Sequence, residues 1–274
     1  MYQVLGLCRF SLLVEGGFQV EHDTLAARRA MLYDPARLAL RFAWFEEVCL
    51  PSLRLQTDPD FTLILLTGAD FPDRALQRLR QATQDIPQIV LRQIAPERHR
   101  PACRRVLKAE VDPAARAVLQ FRLDDDDAVS IDFVERLRAD MALAQGMLDR
   151  DGRLYLDYNR GFTLMTPPEG RQIAAQVADR VAAGLAVALR PDDGSCVMDF
   201  AHNKVHQAMN GLTFTDRFMY VRGKNGLNDS AGGQFRHGGA RLDMDQADCE
   251  EQLAARFGID PARFDAAVAA AQPA

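Results

Sequence analysis

Short, nearly uninterrupted apolar segments recur through the first half of this chain and constrain its fold more than any other feature. The clearest is FTLILLT at 61–67, which is followed by Gly68. A strand that is apolar on both faces is typical of a parallel sheet covered by helices on both sides. Similar segments at 2–10, 88–94 and 118–123 predict three more buried strands.

Helix-start signals lie between the predicted strands. An Asp or Ser that can cap a helix is followed, in most cases, by a proline that fits the first helical turn. These starts are at Asp34-Pro35, Asp70 with Pro72, Asp112-Pro113 and Ser130. Pro51 is predicted to end or kink the first of the helices. Because strand and helix alternate, the first half predicts an open, mostly parallel α/β sheet.

The second half of the chain has a different pattern. Segments 153–157 and 162–166 predict a β-hairpin joined at residues 159–161, whereas residues 170–190 fit a helix or a strand equally well. The remaining predictions are a strand at 217–221, a polar glycine-rich loop at 223–239, and helices at 245–257 and 261–270. No linker separates the halves, so we predict one domain over residues 1–274, with a small mixed or antiparallel second half and C-terminal helices.

Charge and cysteine content narrow the class of protein. The chain has 33 Lys and Arg against 38 Asp and Glu, a formal net charge of −5, whereas nucleic-acid binding favours an excess of basic residues. We therefore expect no nucleic-acid partner. Its 5 cysteines are scattered without a C-x-x-C pair, as in a reducing compartment. No signal peptide or apolar stretch of about 18 residues occurs, so we expect a cytoplasmic protein with at most peripheral membrane contact.

Four consecutive carboxylates, Asp124 to Asp127, directly follow the predicted strand at 118–123. Ligands of open α/β sheets bind at the carboxyl ends of the strands. Adjacent carboxylates repel one another, and a divalent cation such as Mg²⁺ or Mn²⁺ would remove that repulsion. Asp124 and Asp126 point the same way in an extended chain, so we expect both to face a metal, joined by Asp127 if the chain turns. A solvated acidic turn before a helix is the alternative.

With these segments in order, the chain resembles the rhamnosyltransferase family, within the glycosyltransferases of the GT-A fold. The matching segments are RFS at 9–11, RF at 41–42, FE at 45–46, LPSL at 50–53, QTDPDF at 56–61, RLDDDDA at 122–128 and, more weakly, GKN at 223–225. The resemblance implies a GT-A-like (Rossmann-like) sheet with a nucleotide-sugar-binding half at 1–130, an acceptor and catalytic half at 131–240 and C-terminal helices at 241–274. It also implies a nucleotide-sugar donor and a glycan or lipid-linked acceptor.

The resemblance also implies roles for individual residues. Asp124 and Asp126 match the Asp-x-Asp metal positions, and Arg9 lies where this fold meets the nucleotide. Similar enzymes often have a metal-binding histidine in the late segment where this chain has Arg222, and a cation there cannot bind a metal. We expect Arg222 and Lys224 instead to neutralise the donor diphosphate, in a glycine-rich loop that can close over the donor.

An inverting transfer needs a base that deprotonates the acceptor hydroxyl. Asp199 and His202 are the candidates, and His202 would share a face with His206 if the segment is α-helical. Surface histidines without a role are the alternative. His22, His99 and His237 are predicted to be loop residues with no role.

Two other functions fit the same acidic cluster. A nucleotidyltransferase that makes sugar nucleotides usually needs a glycine-rich phosphate loop near its N-terminus, for which Gly16-Gly17 is a poor substitute. A non-enzymatic cation- or carbohydrate-binding module would bind metal without turning over a donor. The basic segment at 98–108 fits a solvated face, or a contact with an anionic acceptor or a membrane surface.

Overall fold

The computed structural model describes residues 1–16, 24–167, 169–225 and 239–272. The strands are β1 (Tyr2–Arg9), β2 (Thr62–Gly68), β3 (Ile89–Ile94), β4 (Ala117–Asp124), β5 (Ala128–Val129), β6 (Arg153–Tyr158), β7 (Arg160–Met165), β8 (Gln172–Val177), β9 (Leu185–Leu189), β10 (Gly211–Phe214), β11 (Tyr220–Lys224) and β12 (Ala240–Arg241). The helices are α1 (Leu25–Leu32), α2 (Pro35–Trp44), α3 (Leu50–Arg54), α4 (Asp73–Thr83), α5 (His99–Lys108), α6 (Phe133–Asp151), α7 (Gln246–Phe257) and α8 (Pro261–Ala271). Most of the predicted loop at 223–239, together with Gly17, His22 and His237, lies outside the described residues.

A seven-stranded sheet in the order β10-β6-β9-β4-β1-β2-β3 forms the centre of the molecule. Strand β9 runs antiparallel to β4 and β6, and the other neighbouring strands are parallel. Arg9 pairs in register with Asp124, so the ends of β1 and β4 bring two predicted site residues side by side at the carboxyl edge of the sheet. The predicted α/β architecture with a mostly parallel central sheet is confirmed.

A five-stranded sheet in the order β12-β8-β7-β11-β5 lies beside the central sheet. The chain passes from the central sheet into this sheet at the acidic turn between β4 and β5, and again at Asn159, the single residue between β6 and β7. One face is buried with residues of α7 and α8, including Phe162, Val221, Phe257 and Phe264. The acidic turn therefore lies where the two sheets meet.

The predicted hairpin between 153–157 and 162–166 is wrong. Strands β6 and β7 do form there, but β6 pairs with β9 and β10 whereas β7 pairs with β8 and β11. A hairpin needs a loop of about two residues or more, and only Asn159 lies between these strands. The ambiguous segment 170–190 contains two strands, β8 and β9, which belong to different sheets.

The predicted helix start at Asp112-Pro113 is also wrong. Only a turn fits before β4 begins at Ala117, and the Asp112 carboxylate accepts the N–H of Ala114 (2.8 Å) within that turn. The helix of this α/β unit comes earlier: it is α5, formed by the basic segment at 98–108. Its buried face, with Ala102, Val106 and Leu107, packs on the central sheet, so the segment is half core and half solvated surface.

A long helical segment over residues 35–54 forms one wall of the site. Asp34 caps α2 by accepting the N–H of Arg37 (2.9 Å), as predicted. The helix widens into a π-helical turn at Phe45–Cys49 and continues as α3. Pro51, which offers no N–H to the helix, follows this turn, so the helix changes its winding there without ending. Arg41, a buried residue of α2, contacts the acidic turn from this wall.

Candidate functional site

The four consecutive carboxylates occupy a tight turn between β4 and β5. The backbone N–H of Asp127 donates to the carbonyl of Asp124 (3.0 Å), so the side chains point into different surroundings. Asp124 keeps 44% of its side-chain surface exposed, whereas Asp125, Asp126 and Asp127 are buried. The cluster is therefore one accessible carboxylate above three that solvent barely reaches.

A buried arginine from α2 pairs with two of these carboxylates. Arg41 forms an ion pair with Asp125, in which Nε donates to Oδ2 at 3.1 Å. Nη1 of Arg41 donates to Oδ2 of Asp126 at 3.2 Å. All three side chains are buried, and charges survive burial only when they are paired and hydrogen-bonded. Arg41 thus supplies the positive charge that the acidic turn needs.

The end of β11 closes over the other side of the turn. Asn225 Nδ2 donates to Oδ2 of Asp126 (3.0 Å), and the backbone N–H of Gly223 donates to Oδ1 of Asp127 (2.9 Å). A Cβ at Gly223 would lie 2.1 Å from the carbonyl oxygen of Asp126, so only glycine permits this approach. Burial, and then the charges of Asp126 and Asp124, raises the pKa of Asp127 well above its usual range.

These partners decide how well the turn suits a divalent cation. Oδ2 of Asp126 already accepts from both Arg41 and Asn225, and Asp127 accepts from Gly223. Within the described ranges, no group of three or more His, Cys, Asp or Glu side chains is placed to hold a metal ion. As arranged, the predicted ligands Asp124, Asp126 and Asp127 do not fit a metal together, and the prediction of Mn²⁺ or Mg²⁺ is untested.

The accessible part of the site is the ion pair between Arg9 and Asp124. Nη2 of Arg9 donates to Oδ1 of Asp124 at 2.6 Å, and the two side chains are 24% and 44% exposed. Burial by itself would raise the pKa of Asp124, but the charge and hydrogen bond of Arg9 outweigh it and hold this pKa well below its usual range. Asp124 is therefore an ionised acceptor at the edge of the sheet, beside an arginine that can contact an anion.

A histidine also contacts Arg9. Nη1 of Arg9 lies 3.2 Å from Nε2 of His99, and because a guanidinium can only donate, that imidazole nitrogen accepts. Burial, and then the charges of Arg9 and Arg100, lowers the pKa of His99 to about 4. His99 is in α5, so the prediction that it is a loop residue is wrong, and its neutral ring orients Arg9.

Two further predicted cations, Arg222 and Lys224, lie on β11 next to the acidic turn. They line a cavity of about 220 Å³, together with Arg241 and Gln176. Burial, and then the charge of Arg222, lowers the pKa of Lys224. The structure therefore brings Arg9, Asp124, Arg222 and Lys224 to the junction of the two sheets, with Arg222 near enough to Asp127 to stabilise its charge.

The predicted base Asp199 lies in a short 3-10 helix against α5. Its carboxylate makes a bidentate ion pair with Arg104 (2.6 and 3.0 Å) and accepts the N–H of Cys196 (2.9 Å). The same helix is anchored by a backbone N–H that donates to Gln120 (3.0 Å). Gln120 precedes Asp124 by four residues, about 13 Å along the strand. The described contacts do not bring Asp199 to the acidic turn, and its catalytic role is untested.

The other predicted base, His202, begins a 3-10 helix at His202–Gln207. Such a helix has about three residues per turn, so His202 and His206 do not share a face as they would in an α-helix. Nδ1 of His202 donates to the carbonyl of Arg180 (2.6 Å). The backbone N–H of the same Arg180 donates to a buried carboxylate, Asp157, and the role of His202 as a base is likewise untested.

Asp157 is a fully buried carboxylate near the end of β6. Its oxygens accept from the backbone N–H of Arg180 (2.9 Å) and from the hydroxyl of Thr213 (3.1 Å). Burial raises the pKa of Asp157 to about 6, although both hydrogen bonds oppose the increase. Arg180 adopts a left-handed backbone with φ of 54°. Asp157 therefore holds a strained turn in place.

We expect Asp157→Asn to raise the free energy of unfolding at pH 7.5. The folded-state pKa of about 6 exceeds the ordinary value of 3.8, so Asp157 stabilises the fold fully below pH 3.8 and this stabilisation disappears as the pH rises through 6. The asparagine removes the ionised form and can still accept from Arg180 and donate to Thr213. The gain should be about 1–3 kcal/mol at pH 7.5 and should shrink toward pH 4.5 in urea unfolding. A variant that is less stable at both pH values would contradict this account.

Sequence reasoning missed Arg41 as a site residue, although a signal for it exists. Position 41 lies on the same helical face as Leu38 and Phe45, which are apolar, and a buried arginine on an apolar face requires an internal anion. Asn225 belongs to the matching segment at 223–225, which assigns it no role. No local signal marks His99 or Asp157.

Comparisons with known proteins agree with the resemblance. A family model described as “Putative rhamnosyl transferase” matches residues 3–236. Among curated proteins, none matches the sequence significantly.

Three solved structures are similar at low TM-scores. Residues 1–349 of S. aureus TarS, in complex with UDP-GlcNAc, give a TM-score of 0.43 and 14% identity over 85% of this chain and 61% of that chain. A “putative nucleotide-diphospho-sugar transferase” from Desulfovibrio desulfuricans G20 gives 0.38 and 10% over 100% and 99%. A “Putative Glucose-1-Phosphate Thymidylyltransferase” from Bacillus anthracis gives 0.35 and 9% over 78% and 87%. This chain spans about 61% of the TarS chain.

Proposed function

Since the chain belongs to the family described as “Putative rhamnosyl transferase”, a family of glycosyltransferases, we propose that it moves a sugar, rhamnose in the first instance, from a nucleotide-diphosphate donor to a hydroxyl of a glycan or lipid-linked acceptor. One observation supports a donor site in particular. An exposed carboxylate and an arginine, Asp124 and Arg9, form a pair at the carboxyl ends of two neighbouring parallel strands. Nucleotides bind open α/β sheets at this edge.

The pair offers two complementary functions to a nucleotide. The Asp124 carboxylate, held ionised by Arg9, accepts hydrogen bonds from ribose hydroxyls. The Arg9 guanidinium donates to Asp124 and to His99 through two of its nitrogens, and its remaining N–H groups can meet a phosphate oxygen. Arg41 reduces the repulsion between the turn and the diphosphate, because its positive charge offsets part of the negative charge of Asp125 and Asp126.

Bond breaking places negative charge on the departing diphosphate. Glycosyl transfer passes through an oxocarbenium-like state, and fixed cations near the leaving group stabilise that charge. Arg222 and Lys224 lie at the end of β11 beside the acidic turn and fit this role. Asp199 and His202 are kept as proposed bases for the acceptor hydroxyl. The part of the glycine-rich loop proposed to close over the donor lies outside the described residues.

Calorimetric titration with UDP, GDP and dTDP tests the donor site. We expect the wild-type protein to bind one of the three, and Arg9→Gln to weaken that binding at least tenfold, because a charge-assisted hydrogen bond contributes about 1.5–3 kcal/mol. Arg54→Gln is the matched control, since Arg54 pairs with Asp85 on an exposed surface. If no diphosphate binds to the folded protein, the proposal fails.

The same titrations, repeated with Mn²⁺ and with a chelator, test the metal prediction. Equal affinity in both would indicate that the chain's own cationic side chains are sufficient for nucleotide binding. Binding that depends on Mn²⁺ would support the predicted metal and would require Asp126 to leave Arg41. Incubation with a sugar 1-phosphate and a nucleoside triphosphate adds a separate test, because release of pyrophosphate would identify a nucleotidyltransferase instead.

A further inference from the structure

Two acceptors of different charge hold the guanidinium of Arg9. Nη2 donates to Oδ1 of Asp124 at 2.6 Å, and Nη1 lies 3.2 Å from Nε2 of His99. A single contact would leave the planar guanidinium free to rotate about it, whereas contacts at two separate nitrogens fix the plane. The direction of the remaining N–H groups of Arg9 therefore depends on both acceptors.

If the histidine contact were lost, Arg9 would have another acceptor close by. Arginine and a carboxylate readily form two parallel hydrogen bonds, and of the two Asp124 oxygens it is Oδ1 that accepts from Arg9. An Arg9 that moved Nη1 from His99 to Oδ2 of Asp124 would direct both terminal nitrogens at the carboxylate. Fewer of its N–H groups would then face a phosphate of the donor. The contact with His99 opposes this bidentate pairing, because it occupies Nη1.

The imidazole of His99 suits this role because it accepts a hydrogen bond without carrying charge. His99 is 7% exposed and is the first residue of α5, where the helix dipole disfavours a positive charge. Burial, and then the charges of Arg9, Arg100 and Arg122, lowers the pKa of the ring to about 4, so the ring is neutral at neutral pH. A carboxylate in this place would also orient Arg9, but it would add a negative charge beside the diphosphate.

We propose that His99 is a positioning residue of the donor site, whose Nε2 holds Arg9 out of a bidentate pair with Asp124 so that N–H groups of Arg9 face the donor diphosphate. This inference rests on the proposed function, in which Arg9 contacts the diphosphate. It assigns one tautomer to the ring, with the proton on Nδ1, because a protonated Nε2 cannot accept a hydrogen bond.

Calorimetric titration of three His99 variants tests this role, with whichever of UDP, GDP and dTDP the wild-type protein binds. His99→Leu removes the acceptor, and we expect the affinity for the nucleoside diphosphate to fall about tenfold. His99→Gln restores a neutral acceptor, the amide oxygen, and should bind within about threefold of the wild type. His99→Glu also accepts but adds a negative charge, so it should bind at least as weakly as His99→Leu.

Two further measurements distinguish positioning from general support of the fold. The nucleoside without its diphosphate, titrated by NMR, should bind the wild type and His99→Leu with affinities within about threefold of each other. Nitrogen NMR of the isotope-labelled imidazole in the wild type should show a proton on Nδ1 and none on Nε2. His206→Leu, which removes an exposed histidine, is the matched control and should change neither affinity.

The outcomes separate this inference from the proposed function. If the wild-type protein binds no nucleoside diphosphate, the proposed function fails and the inference fails with it. If the wild type binds one and His99→Leu binds it equally well, or if Nε2 carries the proton, the inference alone fails. Equal weakening of nucleoside and nucleoside diphosphate in His99→Leu would make His99 a structural residue and would also overturn the inference. Urea unfolding of each variant shows that the binding data come from folded protein.

Discussion

Arg41→Met should destabilise the protein by about 3–5 kcal/mol, because it leaves Asp125 and Asp126 buried without their cation. The guanidinium makes hydrogen bonds to both carboxylates, and all three groups are buried. Methionine fills a similar volume on α2 but supplies neither charge nor donors. Guanidinium chloride unfolding at pH 7.5 measures the loss.

Two comparisons identify the cause of that loss. Arg54→Met removes an exposed arginine that pairs with Asp85, and such surface pairs contribute less than about 1 kcal/mol. Adding Asp125→Asn to Arg41→Met should recover part of the stability, since one buried charge disappears. If Mn²⁺ raises the Tm of Arg41→Met but not of the wild-type protein, the arginine occupies the place that a cation would otherwise take. A loss below 1 kcal/mol for Arg41→Met would contradict the internal neutralisation of the turn.

The sequence predicts the central sheet correctly because the pattern that indicates each strand lies within a few adjacent residues. Strands β2 and β4 are apolar on both faces, a pattern that only a sheet covered on both sides explains. The carboxyl end of β4 indicates the position of the acidic turn, whereas Arg9 at the end of β1 is implied by the family resemblance and not by the local pattern. Asp34 caps α2 as predicted, because capping depends on a few adjacent residues. Helices α4 and α6 begin after Pro72 and Asp132 without a side-chain cap bond, so the predicted caps at Asp70 and Ser130 are wrong.

The side-chain partners within the site could not be predicted, because they come from segments that are distant in the sequence. Arg41 and Asp125 are separated by 84 positions, and nothing near the acidic turn indicates that a helix delivers its counter-ion. The sequence predicts a metal at these carboxylates, and the fold places one arginine against two of them, Asp125 and Asp126; the metal stays a prediction. The hairpin error has the same origin: β6 and β7 are adjacent in sequence but belong to different sheets, because the chain crosses between the sheets at Asn159.

Asp124→Asn should lower kcat/KM for the sugar-nucleotide donor by about a hundredfold or more, while the fold remains intact. Asp124 is the accessible carboxylate of the turn, and its amide analogue loses the negative charge that accepts donor hydroxyls and holds Arg9 in position. Losses of this order follow when one preorganised charged group in an active site is removed. Donor turnover, measured as release of nucleoside diphosphate with acceptor present, gives the ratio, and unfolding in urea shows whether stability changes.

The neighbouring carboxylate provides the contrast that makes this result specific. Asp125 is 1% exposed and pairs with Arg41, so it cannot touch a donor. Asp125→Asn should therefore reduce the free energy of unfolding more than it reduces kcat/KM, the reverse of Asp124→Asn. Asp85→Asn, at an exposed ion pair, should change neither quantity appreciably. If Asp124→Asn retains turnover within about threefold of the wild type, Asp124 does not contact the donor, and the nucleotide must be bound elsewhere along the junction of the two sheets.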